Sequence, residues 1–345
     1  MLLSSQLLRE DMDTIANINF DVDIEGSVFL VTGATGLIGS MVCRTLSYIG
    51  KKYKKNIMVL AIVRSSKKGK EILEDVIGNG NIQFIELDIT EPIPSIKADY
   101  IIHTACPTSS DIFITYPVET IQSIVNGTDN ILKYAKKNGC KSVVYLSSME
   151  VYGQIQHENL LKPENIGYVN PLVLRSCYPE GKRMAENLCM GYFREYGVPV
   201  KVIRLAQTFG PGVALTDNRV FAQFIRSVKN NEDIVMFTQG GSKRMYLDTM
   251  DAISAVLTVL LRGENAQVYN VGNPSTYCSI KEMAELVIRE FGNGISNLRI
   301  DCSKDIGQYP PDNMLKLDVT PIQELGWFPK YSLKEMYIRM LEGNV

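Results

Sequence analysis

The sequence is poor in the side chains that usually hold metals or act as histidine bases. Its 345 residues include only two histidines, His103 and His157, which argues against a His-rich metal site and a Ser-His-Asp triad. The seven cysteines are widely spaced, their number is odd, and no CxxC pair occurs. This pattern excludes a disulfide framework and a cysteine-based zinc site, and it is typical of a reducing compartment.

A charge imbalance and long apolar runs are missing as well. Against 36 Lys and Arg residues stand 38 Asp and Glu residues, for a formal net charge of -2. No broad basic face can form, so a nucleic-acid partner is not expected. No run approaches the ~20 apolar residues of a membrane-spanning helix, and residues 1–25 lack the apolar core of a secretory signal. We therefore expect a cytoplasmic protein without a membrane partner.

The chain does contain a regular alternation of short apolar segments and helical patterns. The apolar segments occupy residues 27–32, 57–63, 82–87, 100–103, 142–146 and 200–205. Strands that are apolar on both faces and separated by helices predict an α/β fold with a Rossmann-type, doubly wound parallel sheet. After Ala206 the pattern changes to Gly/Pro loops and irregular pieces, which indicate a smaller, discontinuous C-terminal lobe that binds substrate.

These patterns divide the chain into three parts, and its length fits about two domains. Residues 1–25 are predicted to form an N-terminal extension. Residues 26–205 and 244–277 are predicted to form the dinucleotide-binding domain, and residues 206–243 and 278–345 the substrate-binding lobe.

A glycine-rich turn directly follows the first predicted strand. Gly33, Gly36 and Gly39 lie in TGATGLIG, between that strand and a helical pattern. Glycine lets the backbone turn sharply, and it lets a pyrophosphate approach the free N–H groups at the helix N-terminus. In this strand–turn–helix context the motif predicts dinucleotide binding rather than a purely structural turn.

The second predicted strand ends in a cation where an acidic residue for the adenosine ribose is expected. Arg64 stands there, followed by two serines and two lysines. A guanidinium with hydroxyls suits a 2′-phosphate, hence NADP, and the alternative is an exposed strand-end arginine. Asp88, after the third strand, either accepts a hydrogen bond from the adenine amino group or caps a loop.

Tyr178 and Lys182 lie four residues apart in a helical pattern, which places both side chains on one helix face. A tyrosine with its ordinary pKa of ~10 is a poor base at neutral pH. A nearby ammonium and an oxidised nicotinamide would stabilise the phenolate and lower that pKa. Tyr178 can then take a proton from a sugar hydroxyl.

The segment SSMEVYG follows the fifth predicted strand, at the edge where ligands bind in open α/β sheets. Ser148 can hydrogen-bond the reacting hydroxyl beside Tyr178. Glu150 is a carboxylate in an otherwise apolar turn, which is costly to bury without a purpose. The alternative is a loop glutamate that faces water. The candidate catalytic residues are therefore Tyr178, Lys182, Ser148 and Glu150.

Seven motifs together resemble the extended short-chain dehydrogenase/reductase family of nucleotide-sugar enzymes. In chain order they are TGATGLIG, HTAC, SSMEVYG, YPEGK, RLAQTFGPG, YNVGN and LGWFP, within residues 26–335. Three segments, HTACPTSSDIFITYPVETIQSIVNGTDNIL, RSCYPEGKR and DNRVFAQFI, look most like the UDP-glucuronate decarboxylases of that family. The Glu in SSMEVYG is also typical of the family's 4,6-dehydratases, although Met149 replaces the Asp of the dTDP-glucose enzymes.

The resemblance implies a cofactor site and a substrate site, and no metal. The implied cofactor-binding residues are Gly33, Thr35, Gly36, Leu37, Ile38, Gly39, Arg64, Asp88, Ile89, Thr104, Ala105 and Lys182. The implied substrate-binding residues are Ser148, Gln207, Arg219 and Arg244. Arg244 matches the family position that binds the substrate diphosphate, and Gln207 stands where the family has Asn. The implied cofactor is NAD, with NADP as the alternative because of Arg64.

The implied function is a nucleotide-sugar lyase that oxidises C4 of the sugar transiently with bound NAD(P). The substrate is an NDP-sugar, with UDP as the expected nucleotide, and a 4-ketone would let a glucuronate lose carbon dioxide or a hexose lose water. The alternatives are a 4-epimerase, an NADPH-dependent 4-ketosugar reductase and, in another class, a non-catalytic NAD(P)-binding regulator. The resemblance also implies a homodimer that pairs the helices predicted at 118–137 and 178–196.

Overall fold

A parallel sheet of seven strands lies at the centre of the structure, a computed structural model that describes residues 5–19, 24–303 and 312–343. Its strands are β1 (Val28–Thr32), β2 (Met58–Val63), β3 (Ile82–Glu86), β4 (Tyr100–His103), β5 (Ser142–Ser148), β6 (Val200–Leu205) and β10 (Val268–Val271). Their spatial order is β10-β6-β5-β4-β1-β2-β3, and all neighbours are parallel. The order reverses between β1 and β4, which creates a ligand crevice at the carboxyl ends of these strands.

Helices cover both faces of this sheet, so the predicted doubly wound α/β fold is confirmed. The side chains of β1 alternate between two cores, since Leu30 lies in one and Val31 in the other. The core that contains Val31 includes residues of α1 (Gln6–Asn19), α2 (Leu37–Lys52) and α9 (Thr249–Arg262). The core that contains Leu30 includes residues of α6 (Pro117–Asn138) and α7 (Cys177–Tyr196).

Residues at the ends of α6 and α7 explain where these two helices start and stop. Pro117 opens α6, where its fixed φ suits the first turn and its missing N–H costs nothing. Gly139 and Gly197 follow the last residues of α6 and α7 with φ of 68° and 70°, the left-handed conformation that glycine adopts without strain.

A third core belongs to the small sheets that follow the parallel strands. Its small sheets contain β7 (Gln207–Phe209), β8 (Ile234–Met236), β9 (Lys243–Asp248), β11 (Asn273–Ser279), β12 (Leu298–Ile300) and β13 (Met314–Leu315). Its helices are α8 (Val220–Lys229), α10 (Ile280–Phe291) and α12 (Leu333–Glu342). The short helices elsewhere are α3 (Ser66–Ile72), α4 (Glu74–Ile77), α5 (Ser110–Thr115) and α11 (Thr320–Gln323). Phe209, Phe221, Tyr246 and Tyr337 pack together at the centre of this core.

The division into domains stays a prediction, and the structure places parts of its segments differently. Within residues 244–277, β9 and β11 pair in the small sheet, whereas β10 is a strand of the parallel sheet and α9 packs in a core of that sheet. Within residues 1–25, helix α1 buries Leu8, Met12 and Ile15 in the same core as α2 and α9. Helix α1 is therefore part of the packed structure.

Three general features concern the part of the chain that is described. None of its helices is long and apolar enough to cross a lipid bilayer. All seven cysteines are free thiols. No three His, Cys, Asp or Glu side chains in these residues are grouped so that they could hold a metal ion.

Candidate active site

The glycine-rich turn forms a tight cradle at the start of α2. Gly33 has a φ of +63°, and a Cβ on Gly39 would lie 2.2 Å from the Gly33 carbonyl oxygen, so only glycine fits there. Gly36 is the N-cap of α2, and no side chain caps the helix. The close backbone approach and the uncapped N–H groups fit the diphosphate of a dinucleotide.

A cavity of about 250 Å³ opens beside this cradle. It is lined by Thr35, Gly36, Leu37, Ser40, Gly212, Val213, Asp217 and Arg219, among others. Arg219, predicted to bind substrate, is held by Asp217 through an ion pair of 2.7 Å. The structure therefore places the guanidinium of Arg219, paired with Asp217, in the same cavity as the glycine turn.

Two further predicted cofactor residues, Thr104 and Ala105, lie against the same turn. A hydroxyl hydrogen bond of 2.7 Å ties Thr104 to the backbone of β1, and a Cβ on Gly33 would meet Thr104 and Ala105 within 3 Å. The close packing brings the end of β4 against the glycine turn. Ile38 is half-buried in α2, and Ile89 is buried at the edge of the sheet.

Two carboxylates, Glu86 and Asp88, lie near the end of β2 where Arg64 stands. Glu86 accepts a 2.8 Å hydrogen bond from the backbone N–H of Ser66, which lowers the pKa of Glu86. Asp88 accepts from the side chain and backbone of Thr90, which lowers the pKa of Asp88, and the charge of Arg64 adds to this effect. Asp88 thus makes the loop contact, one of its two predicted roles, and Arg64 itself is exposed.

Helix α7 brings Tyr178 and Lys182 to the carboxyl ends of β4 and β5, and both are buried. The Lys182 ammonium donates a 2.6 Å hydrogen bond to the Leu146 carbonyl of β5 and lies 5.8 Å from the centre of the Tyr178 ring. The Tyr178 ring stacks on Phe113 of α5 with 4.5 Å between ring centres. Both predicted side chains are thus held on one helix face, Lys182 by the Leu146 carbonyl and Tyr178 by the Phe113 ring.

Burial dominates the protonation of Tyr178. It raises the pKa of Tyr178 well above its ordinary value, and the nearby Cys106 and Glu150 add to the rise. Hydrogen bonding with Ser148 and the charge of Arg175 oppose it. The sequence predicts that Lys182 and an oxidised nicotinamide together lower this pKa. Among the residues of the chain itself, burial outweighs the favourable contacts.

Glu150 is anchored by Arg175, which is not among the site residues predicted from the sequence. The Arg175 guanidinium donates to both carboxylate oxygens of Glu150, at 2.9 and 3.1 Å. Ser148 accepts a hydrogen bond from the backbone N–H of Glu150 and so fixes the start of the same turn. Glu150 is therefore a paired carboxylate rather than a loop glutamate that faces only water. The sequence signal for Arg175 is that it lies three residues before Tyr178.

The structure brings Gln207 and Arg244 together in the small sheet. They lie on the paired strands β7 and β9, and Arg244 donates to the Gln207 side chain at 3.5 Å. The Arg244 Nε atom is buried and has no hydrogen-bond partner among the described residues. A buried donor without a partner is costly, so an anionic ligand would satisfy it.

Comparison with known proteins shows similarity over most of the chain. Residues 29–272 match the model of the NAD dependent epimerase/dehydratase family. UDP-glucuronic acid decarboxylase 5 of Arabidopsis thaliana is 33% identical over 311 residues, which are 89% of this chain and 86% of the relative. UDP-glucuronic acid decarboxylase 6 of the same plant is 34% identical over 313 residues, 89% of this chain and 85% of the relative.

Solved structures share the fold. The dTDP-glucose 4,6-dehydratase of Streptomyces venezuelae, solved with NAD bound, matches with a TM-score of 0.76 and 21% identity. The match covers 92% of this chain and 96% of the dehydratase chain. The match of the family model and the identity to the plant relatives lead to one conclusion: the chain belongs to the NAD dependent epimerase/dehydratase family.

Proposed function

We propose that the chain is an NAD-dependent nucleotide-sugar lyase that decarboxylates UDP-glucuronate. The observation that carries the proposal is a carboxylate, Glu150, anchored by Arg175 in the turn that also holds Ser148, beside Tyr178. A carboxylate at this place suits chemistry at C5 and C6, which a simple epimerisation at C4 does not need. The decarboxylase relatives support the same activity.

The glycine cradle and the cavity beside it fit a dinucleotide. We assign the diphosphate to the turn of Gly33, Gly36 and Gly39, with Arg219 across the cavity, and the nicotinamide end to Lys182. NAD, when bound, takes up a hydride from C4 of the sugar and returns it. The buried phenol of Tyr178 would ionise more readily beside the positive charge that an oxidised nicotinamide, held near Lys182, would supply.

Tyr178 acts as the base in this proposal. Its phenolate accepts the proton of the C4 hydroxyl, and Ser148 holds that hydroxyl in place. Once C4 is a ketone, the C6 carboxylate of a glucuronate is a β-keto acid, so carbon dioxide can leave and its bonding electrons pass into an enolate. We assign to Glu150 the supply of a proton to C5 of that enolate.

Arg244 and Gln207 are proposed to hold the substrate diphosphate. The unpartnered Nε of Arg244 supports this role, because a phosphate oxygen would satisfy a donor that the described residues leave unpaired. A fixed guanidinium binds phosphate in a defined orientation, which sets the sugar ring relative to Tyr178.

A panel of UDP-, dTDP-, GDP- and CDP-linked sugars, analysed by mass after incubation with the NAD-loaded protein, tests the function. We expect UDP-glucuronate to lose carbon dioxide. Loss of water from a hexose would make the chain a dehydratase. An isomer of unchanged mass would indicate an epimerase. A gain of two hydrogens by a 4-ketosugar, in a parallel incubation with NADPH, would indicate a reductase.

The Glu150→Gln variant separates a lyase from an epimerase. A lyase that needs Glu150 at C5 should keep the oxidation at C4 and lose the later proton transfer, so reduced dinucleotide accumulates, visible by its absorbance when substrate is added. Turnover should fall by about 10²-fold or more, as for loss of a general acid–base group. Parent-like turnover of Glu150→Gln on the true substrate would favour the epimerase or the reductase.

NAD is proposed as the cofactor in preference to NADP. The support comes from Glu86, whose carboxylate occupies the Ser66 N–H beside Arg64. A 2′-phosphate at this corner would meet the negative charges of Glu86 and Asp88, which offset the attraction of Arg64.

The Glu86→Gln variant checks this assignment by binding alone. We expect its affinity for NADP to rise about three- to tenfold, with little change for NAD, because an exposed like charge near the 2′-phosphate is removed. Glu71→Gln, which neutralises an exposed carboxylate on α3, is the matched control. Dissociation constants for both dinucleotides decide the question. An unchanged NADP affinity in Glu86→Gln contradicts the assignment.

A homodimer through α6 and α7 remains a proposal, supported by apolar side chains on the outer faces of these helices. Val118 is 59% exposed, Ile121 42% and Met184 53%. Several large exposed apolar side chains on adjacent helices are typical of an interface.

Val118→Glu should therefore shift the protein toward the monomer, because burying an unpaired carboxylate in an interface is unfavourable. Analytical ultracentrifugation of the parent and the variant measures the shift. Val235→Glu, at an apolar residue of similar exposure on β8, should leave the association state unchanged. A parent that sediments as a monomer excludes the homodimer.

A further inference from the structure

The pair formed by Arg175 and Glu150 joins two parts of the site that are separate in the sequence. Arg175 lies in the 3-10 turn directly before α7, and Glu150 lies in the 3-10 turn directly after β5. Two hydrogen bonds, from Nη1 to Oε2 and from Nη2 to Oε1, make the pair bidentate. A bidentate pair fixes both the position and the orientation of the carboxylate.

The pair also lies close to Tyr178 and is open to solvent. The Arg175 guanidinium is 5.9 Å from the ring centre of Phe113, the ring that stacks on Tyr178. Its side chain is 38% exposed and that of Glu150 is 29% exposed. The pair thus forms part of the accessible wall of the crevice rather than of the protein core.

The Arg175 guanidinium has N–H donors that Glu150 does not use. A guanidinium carries five N–H groups. Among the described residues, the Arg175 side chain donates hydrogen bonds only to Glu150. The remaining N–H groups can donate hydrogen bonds to a second acceptor. Because the pair with Glu150 is formally neutral, an anion can approach it without the repulsion that an unpaired Glu150 would exert.

We propose that Arg175 is a specificity-determining residue, which binds the C6 carboxylate of a uronate sugar while it holds Glu150. This inference rests on the proposed function, since it explains how a sugar carboxylate is accepted next to a protein carboxylate. A hexose with a neutral C6 hydroxyl would gain little from the guanidinium. Arg175 therefore selects for the charge at C6.

A purely structural role for Arg175 makes a different prediction. If the pair only braced the two turns, its loss would disturb the site as a whole and weaken every UDP-sugar to the same degree. UDP-glucuronate and UDP-glucose differ only at C6, so the ratio of their affinities isolates the contribution of the charge.

The test measures dissociation constants of these two sugars by calorimetry, with the NAD-loaded protein in a Tyr178→Phe background so that neither sugar is consumed. Arg175→Gln should weaken UDP-glucuronate at least about tenfold and UDP-glucose less than about threefold, as expected for one charge-assisted contact. Glu150→Gln should not weaken UDP-glucuronate, because it removes a negative charge and leaves the guanidinium. The double variant should lie between the two. Arg175→Lys keeps the charge without the fork and should retain part of the preference.

Equal losses for both sugars in Arg175→Gln would overturn the inference, as would a parent that does not prefer UDP-glucuronate. Unchanged melting temperature and NAD affinity in Arg175→Gln show that the variant is folded, and Arg175→Lys replaces it if it is not. The mass assay of the parent stands apart from this measurement. If UDP-glucuronate binds through Arg175 but loses no carbon dioxide, the proposed function fails and the inference holds.

Discussion

Replacing Tyr178 by phenylalanine should lower turnover by about 10²–10⁴-fold, the usual contribution of a positioned proton acceptor. The variant keeps the ring that stacks on Phe113 and removes only the hydroxyl. Binding of NAD should therefore persist. Steady-state kinetics with the substrate identified by the mass panel, together with the dissociation constant of NAD, measure the two effects.

Tyr145→Phe is the matched control for this substitution. Tyr145 is also buried, its ring lies 4.8 Å from the Lys182 ammonium, and its hydroxyl has no hydrogen-bond partner among the described residues. Removing that hydroxyl should cost little activity. If both variants lose activity equally, or if Tyr178→Phe turns over like the parent, Tyr178 is not the base.

The largest effect on stability is expected for Arg339→Met. Arg339 is buried, with ion pairs of 2.6 Å to Asp11 and 3.0 Å to Asp248, and it lies over the ring of Tyr331. The variant leaves two carboxylates buried without their cation, which costs about 3–5 kcal/mol. That is a large share of the ~5–15 kcal/mol by which a typical domain is stable. Denaturant unfolding measures the loss.

The loss should depend on pH in a defined direction. Burial raises the pKa of Asp248 from 3.8 to about 6 even though Arg339 lowers it, so removal of Arg339 raises the pKa further. The folded variant then holds a proton that the unfolded chain has released, and its stability falls as pH rises. The gap between parent and variant should be widest above the pKa of Asp248 and narrow below it.

An exposed arginine provides the control. Arg289 pairs with Glu290 at 2.9 Å, but its side chain is 66% exposed. Arg289→Met should therefore change the free energy of unfolding by less than about 1 kcal/mol. A gap between Arg339→Met and the parent as small as that of this control, or one that widens at low pH, would show that the buried cluster does not stabilise the fold.

Much of the fold could be predicted from local patterns. The apolar run that ends at Thr32, the glycines that follow and the amphipathic helix after them form one continuous strand–turn–helix unit, whose geometry is set by neighbouring residues. Tyr178 and Lys182 share a helix face for the same reason, since residues four apart in a helix always do. Residues in such units carry their relative positions with them.

Contacts between distant parts of the chain could not be predicted in this way. Phe113 stacks on Tyr178 although the two residues lie 65 positions apart, and the register of β2 and β3 pairs Val63, the residue before Arg64, with Glu86. The sequence indicated only a polar extension at residues 1–25. It did not indicate that Asp11 would reach Arg339, 328 positions away, and tie the first helix to the last.

The sequence by itself determined the alternating α/β pattern, the glycine turn and the helical pair of Tyr178 and Lys182. Only the tertiary structure decided that Arg175 grips Glu150, that Arg219 enters the cavity of the glycine turn, and that the small sheet holds Arg244 against Gln207. The physical reason is the distance along the chain over which each kind of interaction acts. Backbone hydrogen bonds and side-chain periodicity act over a few residues, whereas ion pairs between separate elements form only after burial of apolar surface has brought those elements together.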